Sequence, residues 1–191
     1  PYSTGLRNPV GMAWHQPTNS LWTVVNERDQ LGNDLVPDYL AQVNEGDDFG
    51  WPTHYWGILQ DPRVSRDWSL QSDADAEGES FTKTPTQEPG PDQQNSNVTS
   101  LRPRRIPNYA LGAHTASLGL AFYSNPSIPS LKNHAIITQR GSWNRNPPSG
   151  YQVLAVEVTN SGEARGEAKP LLTEFLSEPG EAKGRPVGVI V

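Results

Sequence analysis

Ser117-Leu118-Gly119-Leu120-Ala121-Phe122 is an apolar run centred on a glycine, and a short polar loop leads into it. Two other stretches share this layout, Pro9 to Trp14 around Gly11 and Pro186 to Val191 around Gly188. The three stretches therefore look like copies of one strand opening. Their glycines are 108 and then 69 residues apart, which is longer than the roughly 40–50 residues of a compact propeller repeat, so loops must be inserted.

The copy that opens at Ser117 predicts four strands, each bounded by Pro, Gly or Asn: Leu118 to Tyr123, Ala135 to Thr138, Tyr151 to Val158 and Pro170 to Phe175. The N-terminal copy predicts strands at Gly11 to His15, Leu21 to Asn26 and Tyr39 to Val43. Four short antiparallel strands followed by the next opening are typical of a β-propeller blade. The fold is therefore predicted to be all-β, with about two to three four-stranded propeller blades, and an open β-sandwich is the alternative.

Composition excludes several classes of function. The chain has 191 residues and no cysteine, so disulfides, Cys-ligated metals and thiol catalysis are excluded. Its net charge is -6 and its longest basic cluster is Arg102-Pro103-Arg104-Arg105, so no nucleic-acid partner is predicted. No run reaches the roughly 18 apolar residues of a membrane span, so no transmembrane segment is predicted.

Residues Asp61 to Asn108 are poor in apolar residues and rich in Ser, Asp, Gln, Glu and Pro, which predicts a polar surface insertion. Asn97-Val98-Thr99 within it matches the N-glycosylation pattern, which is relevant only in a eukaryotic secretory route. Because about two blades cannot close a ring, we expect residues 1–191 to be the C-terminal part of a longer propeller domain.

Polar residues stand just before each repeated strand opening: Arg7 with Asn8, His114 with Thr115, and Arg185. Blade-opening loops meet at one end of a propeller, so these groups are expected to surround a common anionic ligand. The alternative is that they only fill hydrogen bonds between blades.

Two loops add candidate ligand groups. Asn26 to Asp38 contains many oxygen donors of the kind that calcium prefers, although a plain acidic surface loop is equally compatible. In Gln139 to Tyr151, Trp143 is a candidate stacking surface and Arg145 a candidate anion contact, unless the Trp simply fills space between blades. The four histidines are scattered and no nucleophile motif accompanies them, so hydrolase chemistry has little support.

Six motifs follow one another along the chain and leave only the predicted insertion uncovered: Gly5 to Trp14, Val25 to Asp29, Leu35 to Tyr39, Phe49 to Pro52, Gly141 to Arg145 and Gly184 to Val189. Together they resemble the PQQ-dependent sugar dehydrogenases, in the branch of L-sorbosone and pyranose dehydrogenases that is related to soluble aldose and glucose dehydrogenases. The resemblance implies a six-bladed β-propeller that binds pyrroloquinoline quinone (PQQ) with calcium. It also implies hydride transfer to the quinone from an alcohol or lactol carbon of a sugar.

The resemblance assigns roles to particular residues. Arg7 and Asn8 would be catalytic groups at the quinone oxygens, and His114, Arg145 and Arg185 would meet the PQQ carboxylates, with Trp143 beside them. For calcium, the resemblance implies the backbone carbonyls of Arg28 and Asp29 at the cofactor ion, and Asp38 with the carbonyl of Phe49 at a structural ion.

The sequence departs from the family pattern in two places. The catalytic base of the family is a histidine upstream of the Arg7-Asn8 motif, so it lies outside this chain, and Arg140 stands where a histidine is expected. The isolated segment is therefore predicted to bind PQQ poorly and to be inactive. The resemblance further implies a sugar substrate, an external electron acceptor (a cytochrome or a quinone) and a periplasmic or extracellular location. A metal-dependent sugar-lactone hydrolase and a carbohydrate- or protein-binding propeller remain the alternatives.

Overall fold

The computed structural model of the chain describes residues 1–64, 104–177 and 180–191. Within these ranges the chain forms β-strands joined by loops, with 3-10 turns such as Gln16–Thr18 and no α-helix. In this described part, no helix has the length and apolar character needed to span a membrane. Most of the predicted insertion, including the Asn97-Val98-Thr99 motif, lies outside the described residues.

The N-terminal half forms one four-stranded antiparallel sheet. Its strands are β1 (Pro9–His15), β2 (Ser20–Val25), β3 (Pro37–Val43) and, after a hairpin of β4 (His54–Tyr55) and β5 (Leu59–Gln60), β6 (Tyr109–Ala113). The order in the sheet is β1-β2-β3-β6, so the hairpin and the insertion separate two strands that pair directly. The first three strands were predicted from the sequence, whereas β6 was not.

The second half repeats the arrangement in a second antiparallel sheet. Its strands are β7 (Ser117–Tyr123), β8 (His134–Gln139), β9 (Gln152–Val158) and β10 (Ala164–Leu172), and they pair in chain order. The predicted fourth strand, Pro170 to Phe175, was placed too late. The observed strand starts at Ala164, because exposed and charged residues that precede Pro170 also pair with β9 at the sheet edge. The pairing of β10 with β9 is irregular before Lys169 and again after Pro170.

The main hydrophobic core lies between the two sheets. It joins Trp22, Val24 and Leu40 of the first sheet to Ile137 and Val156 of the second. The fully buried Trp22 donates its indole N–H to Ser20 Oγ at 3.0 Å, so its one polar atom has a partner.

The repeated glycines mark where one sheet meets the next. A Cβ at Gly11 would lie 2.6 Å from the Leu118 carbonyl oxygen and 2.7 Å from the Leu120 nitrogen. A Cβ at Gly119 would lie 2.5 Å from the carbonyl oxygen of Val187. The first and second glycine-centred stretches therefore each pack, backbone to backbone, on the next copy along the chain.

The third copy, Pro186 to Val191, follows this packing but is not itself a strand. It contacts β8 through the Thr138 hydroxyl, which donates to the Val187 carbonyl at 2.6 Å, rather than through a backbone ladder. Successive four-stranded antiparallel sheets joined at their first strands are the arrangement of propeller blades. The number of blades and the closure of a ring stay predictions.

Candidate functional site

A cleft of about 180 Å³ opens where loops of the two sheets meet. The β2–β3 loop contributes Asn26 and Asp29, and the β6–β7 loop contributes His114. The β8–β9 loop contributes Arg140, Trp143 and Asn144. Three of the polar or aromatic loops identified in the sequence therefore converge, although only His114 among the groups before the strand openings lines the cleft in the described part of the chain.

His114 and Asp29 form the polar centre of this cleft. Nδ1 of His114 lies 3.2 Å from Asp29 Oδ1, and Nε2 lies 2.7 Å from the carbonyl oxygen of Gly32. Both partners are acceptors, so only the doubly protonated ring donates to both. Because both ring nitrogens are engaged by the protein, His114 has no free nitrogen with which to act as a base in this conformation.

Asn144 is oriented by the same carboxylate. Its Nδ2 donates to Asp29 Oδ1 at 2.9 Å, and its Oδ1 is buried without a hydrogen-bond partner in the described residues. Asn144 lies within the Gly141 to Arg145 motif, but the sequence offered no reason to single it out. Its place in the cleft depends on its hydrogen bond to Asp29, which is on a different loop.

Trp143 projects from the third loop and is 72% exposed. A tryptophan that filled space between sheets would be buried, so the exposed ring instead offers a flat apolar surface beside the cleft. Arg140, at the position where a histidine was expected, also lines the cleft and adds a guanidinium to it.

Two of the predicted anion-binding arginines do not line the cleft themselves but bind backbone carbonyls of residues that do. Arg7 donates through Nη1 to the carbonyls of Asn26 and Glu27, at 3.3 and 3.1 Å. Arg185 stacks over the Tyr151 ring at 5.0 Å and donates to the Arg140 and Gly141 carbonyls, each at 3.4 Å.

The remaining predicted contacts, Asn8 and Arg145, are placed differently. Asn8 is exposed and accepts a backbone bond from Asn26 at 3.0 Å. Arg145 is held by Asp34 at 3.1 Å and by the Asn33 carbonyl at 2.8 Å, on the acidic loop. Among the predicted basic groups His114 alone lines the cleft in the described structure.

A buried ionic network, which sequence reasoning missed, supports the loop that carries Asp29. Arg28 pairs with Glu27 at 3.0 Å and Asp61 at 2.8 Å, and its guanidinium stacks on Trp51 at 4.7 Å. Burial alone would raise the pKa of Asp61, but hydrogen bonds from Arg63 and Arg28 hold that pKa well below its usual range. The sequence signal was slight: Asp61 and Arg63 flank a proline at the border of the predicted insertion.

A protein-family model described as TrAA12-like matches residues 2–190. The chain belongs to the TrAA12-like family. A calcium structure of Trichoderma reesei Carbohydrate-Active Enzymes Family AA12 is 20% identical, with a TM-score of 0.62 over 98% of this chain and 47% of that chain. The holo form of the pyranose dehydrogenase PQQ domain from Coprinopsis cinerea is 23% identical, with a TM-score of 0.60 over 98% of this chain and 49% of that one.

A curated relative of the TrAA12-like chain is the aldose sugar dehydrogenase YliI of Escherichia coli. It is 40% identical over 57 residues, which cover 30% of this chain and 14% of YliI. The TrAA12-like chain thus spans 47% and 49% of the two solved relatives, and its likeness to them shows a shared fold.

In the TrAA12-like chain, one of the two oxygens assigned to a cofactor calcium does not fit a divalent cation in this conformation. The Asp29 carbonyl already accepts a hydrogen bond from Arg63 Nη1 at 2.8 Å, so a cation bound to this oxygen would lie beside a guanidinium. The assignment of the Arg28 carbonyl stays a prediction. Within the described residues no group of three or more His, Cys, Asp or Glu is arranged to hold a metal.

The structural calcium expected at Asp38 and Phe49 does not fit either. The buried carboxylate of Asp38 accepts three hydrogen bonds, from Glu27 N, Thr115 Oγ1 and Ser117 N, at 2.8 to 2.9 Å. Burial raises the pKa of Asp38 to about 6, although these hydrogen bonds act in the opposite direction. The ring of Phe49 stacks on Tyr39, with ring centroids 6.0 Å apart, and the assignment of its backbone carbonyl stays a prediction.

Proposed function

We propose that the full-length protein is a PQQ-dependent sugar dehydrogenase and that this chain supplies part of its cofactor site. The observation that carries the proposal is the cleft between the two sheets, where His114, Arg140 and the exposed ring of Trp143 come together. PQQ is flat and carries carboxylates, so cationic groups around an aromatic surface suit it. The relatives support the sugar substrate, because one is described as a pyranose dehydrogenase PQQ domain and another as an aldose sugar dehydrogenase.

The chemistry that bound PQQ supplies is acceptance of a hydride from an alcohol or lactol carbon of the sugar. The residues of this chain would bind the cofactor and orient it. Trp143 offers a stacking face, and His114 and Arg140 would provide hydrogen-bond donors for the carboxylates of the ligand. Arg7 and Arg185 donate long hydrogen bonds to backbone carbonyls. We propose that, when the ligand binds, their guanidinium groups donate to its oxygens instead.

Several finer points are proposed on the motif resemblance alone. They are the six-bladed ring, the L-sorbosone branch, the catalytic roles of Arg7 and Asn8, the external acceptor and the periplasmic or extracellular location. The catalytic base is proposed to lie outside the chain, which agrees with the engagement of both His114 nitrogens. Calcium binding at the Asp29 carbonyl would require the guanidinium of Arg63 to move away from that oxygen.

The hydrolase alternative has less support. A lactone hydrolase that uses a channel metal needs carboxylates gathered around that ion, and the described residues contain no such group. Among the residues that the structure describes, the cleft instead contains a single carboxylate, that of Asp29, beside His114 and Arg140.

The test is a titration of the full-length protein with PQQ, followed by fluorescence, together with reduction of an artificial acceptor in the presence of aldoses. Trp143→Leu should weaken PQQ binding about two- to twelvefold, because an aromatic stacking contact is worth about 0.5–1.5 kcal/mol. Trp14→Leu is the matched control, since Trp14 is also exposed but lies on β1 outside the cleft, and it should leave the affinity unchanged.

Absence of saturable PQQ binding and of acceptor reduction in the wild type would refute the proposal. Hydrolysis of an aldonolactone by the same preparation would support the hydrolase instead, and sugar binding without acceptor reduction would support a binding module.

A further inference from the structure

One buried carboxylate joins the two loops that meet in the cleft. Asp38, the second residue of β3, is 1% exposed. Its Oδ1 accepts from the backbone nitrogen of Glu27 at 2.9 Å, in the β2–β3 loop. Its Oδ2 accepts from Thr115 Oγ1 at 2.9 Å and from the backbone nitrogen of Ser117 at 2.8 Å, in the loop between the sheets.

These bonds flank the residues that form the cleft. Asp29 follows Glu27 by two positions, and His114 directly precedes Thr115. The side chains of Asp29 and His114 meet at 3.2 Å. The carboxylate of Asp38 therefore connects the two loops immediately beside the point where their functional side chains touch.

The β6–β7 loop needs such an anchor because its backbone is strained. His114 and Ala116 have φ angles of 59° and 51°, in the left-handed region that residues with a Cβ rarely occupy. Such conformations persist only where surrounding contacts impose them. The bonds of Asp38 to Thr115 and Ser117 fall on either side of Ala116 and impose them here.

The donors around Asp38 are neutral and fixed. Among the described residues Asp38 takes part in no salt bridge, and its charge is compensated by two backbone N–H groups and one hydroxyl. Thr115 uses its hydroxyl proton on Asp38 and therefore accepts from Ser117 Oγ at 2.9 Å, which is in turn contacted by Gln139 Nε2 at 3.3 Å. This series of hydrogen bonds connects the Asp38 carboxylate to Gln139 in β8.

We propose that Asp38 is a positioning residue, which holds the Asp29–His114 pair in register and thereby shapes the cleft, rather than a calcium ligand. The consequence for ligand binding rests on the function proposed above. The positioning itself does not, so the two are tested by separate readouts.

The experiment compares three variants of the full-length protein. Asp38→Asn keeps the shape but offers one acceptor oxygen, so Glu27 N or Ser117 N must face an amide NH₂. Thr115→Val removes only the hydroxyl that donates to Asp38, and it replaces Asp38→Asn in the comparison if that variant does not fold. Val158→Ala, a truncation of a fully buried residue at the end of β9, is the control for general loss of stability.

The first readout is hydrogen exchange of the backbone amides of Glu27 and Ser117. In Asp38→Asn, whichever of the two amides faces the new NH₂ group should exchange at least tenfold faster. In Thr115→Val the amide of Ser117 should exchange faster, while Val158→Ala should change neither amide more than its global stability requires. Equal exchange in Asp38→Asn and Val158→Ala would overturn the proposal. So would protection of these amides by calcium that depends on Asp38, because it would make Asp38 a metal ligand.

The second readout is the affinity for PQQ. Asp38→Asn should lower it about tenfold, and it should lower it no further in a His114→Gln background, because Asp38 acts through His114. Losses that multiply in the double variant would show independent action and overturn the proposal. If the wild type binds no PQQ, the proposed function fails, and the exchange data still decide the role of Asp38.

Discussion

Replacing Gly11 with Ala tests the joint between the two sheets. The added Cβ would lie 2.6, 2.7 and 2.9 Å from the Leu118 oxygen, the Leu120 nitrogen and the Gly119 carbonyl carbon. All three are backbone atoms of β7, so no side chain can rotate away, and β1 must move by several tenths of an ångström. Gly11 has no left-handed φ, so the cost is steric rather than conformational.

The expected loss of stability is about 1–3 kcal/mol, which is the usual cost of forcing an extra methyl group into a close-packed contact. For a chain of this size that corresponds to roughly 2–4 °C in Tm for each kcal/mol. Urea unfolding followed by tryptophan fluorescence measures it directly, because Trp22 lies in the core between the two sheets.

Gly188→Ala is the matched control. Gly188 occupies the equivalent position in the third copy, has no left-handed φ, and has no atom within 4 Å of an added Cβ. Its replacement should change the free energy of unfolding by no more than about 0.5 kcal/mol, or raise it slightly by restricting the unfolded chain. If both variants unfold at the same urea concentration, the glycines do not mark contacts between sheets and the reasoning is refuted.

Two further predictions concern the network around Arg28. Asp61→Asn should destabilise the protein by about 3–5 kcal/mol at pH 7, because it leaves the buried Arg28 without one of its two carboxylates. The pKa of Asp61 is lowered on folding, so its contribution is complete above the unfolded value and is lost as the pH falls below about 4. The gap between wild type and variant in urea midpoint should therefore narrow toward pH 2, and a constant gap would contradict this assignment. Trp51→Leu should cost about 1 kcal/mol through the lost cation–π contacts at 4.7 Å to Arg28 and 5.9 Å to Arg7, whereas Trp51→Phe should restore most of it. Equal unfolding midpoints for the Leu and Phe variants would show that the ring face contributes nothing.

The strands that sequence reasoning located well are those whose apolar residues form short runs between turn residues. β7, β8 and β9 are of this kind, and β8 and β9 are buried over most of their length. β6 was missed because it is a short segment after a polar stretch. Its extended conformation is stabilised by pairing with β3, some seventy residues earlier in the chain, and the local sequence does not reveal that pairing. β10 was misplaced because exposure at an edge removes the apolar pattern on which such predictions depend.

For the candidate site, the loops could be predicted but most of the contacts could not. The repeat placed His114 at the meeting point of the sheets, and the structure puts it in the cleft. Arg145 was expected beside it, yet its orientation depends on Asp34, a partner more than a hundred residues away. The family resemblance implied a metal at Asp38, whereas folding brings backbone N–H groups to that carboxylate, which a motif alone does not reveal.

The location of the cleft has a mechanical consequence. Its walls belong to two different sheets, so any molecule that fills it contacts both at once. Occupancy therefore adds its binding free energy to the adhesion between neighbouring sheets. A filled cleft should make the two sheets harder to pull apart, so a force applied to separate them would report on the ligand as directly as a spectroscopic titration.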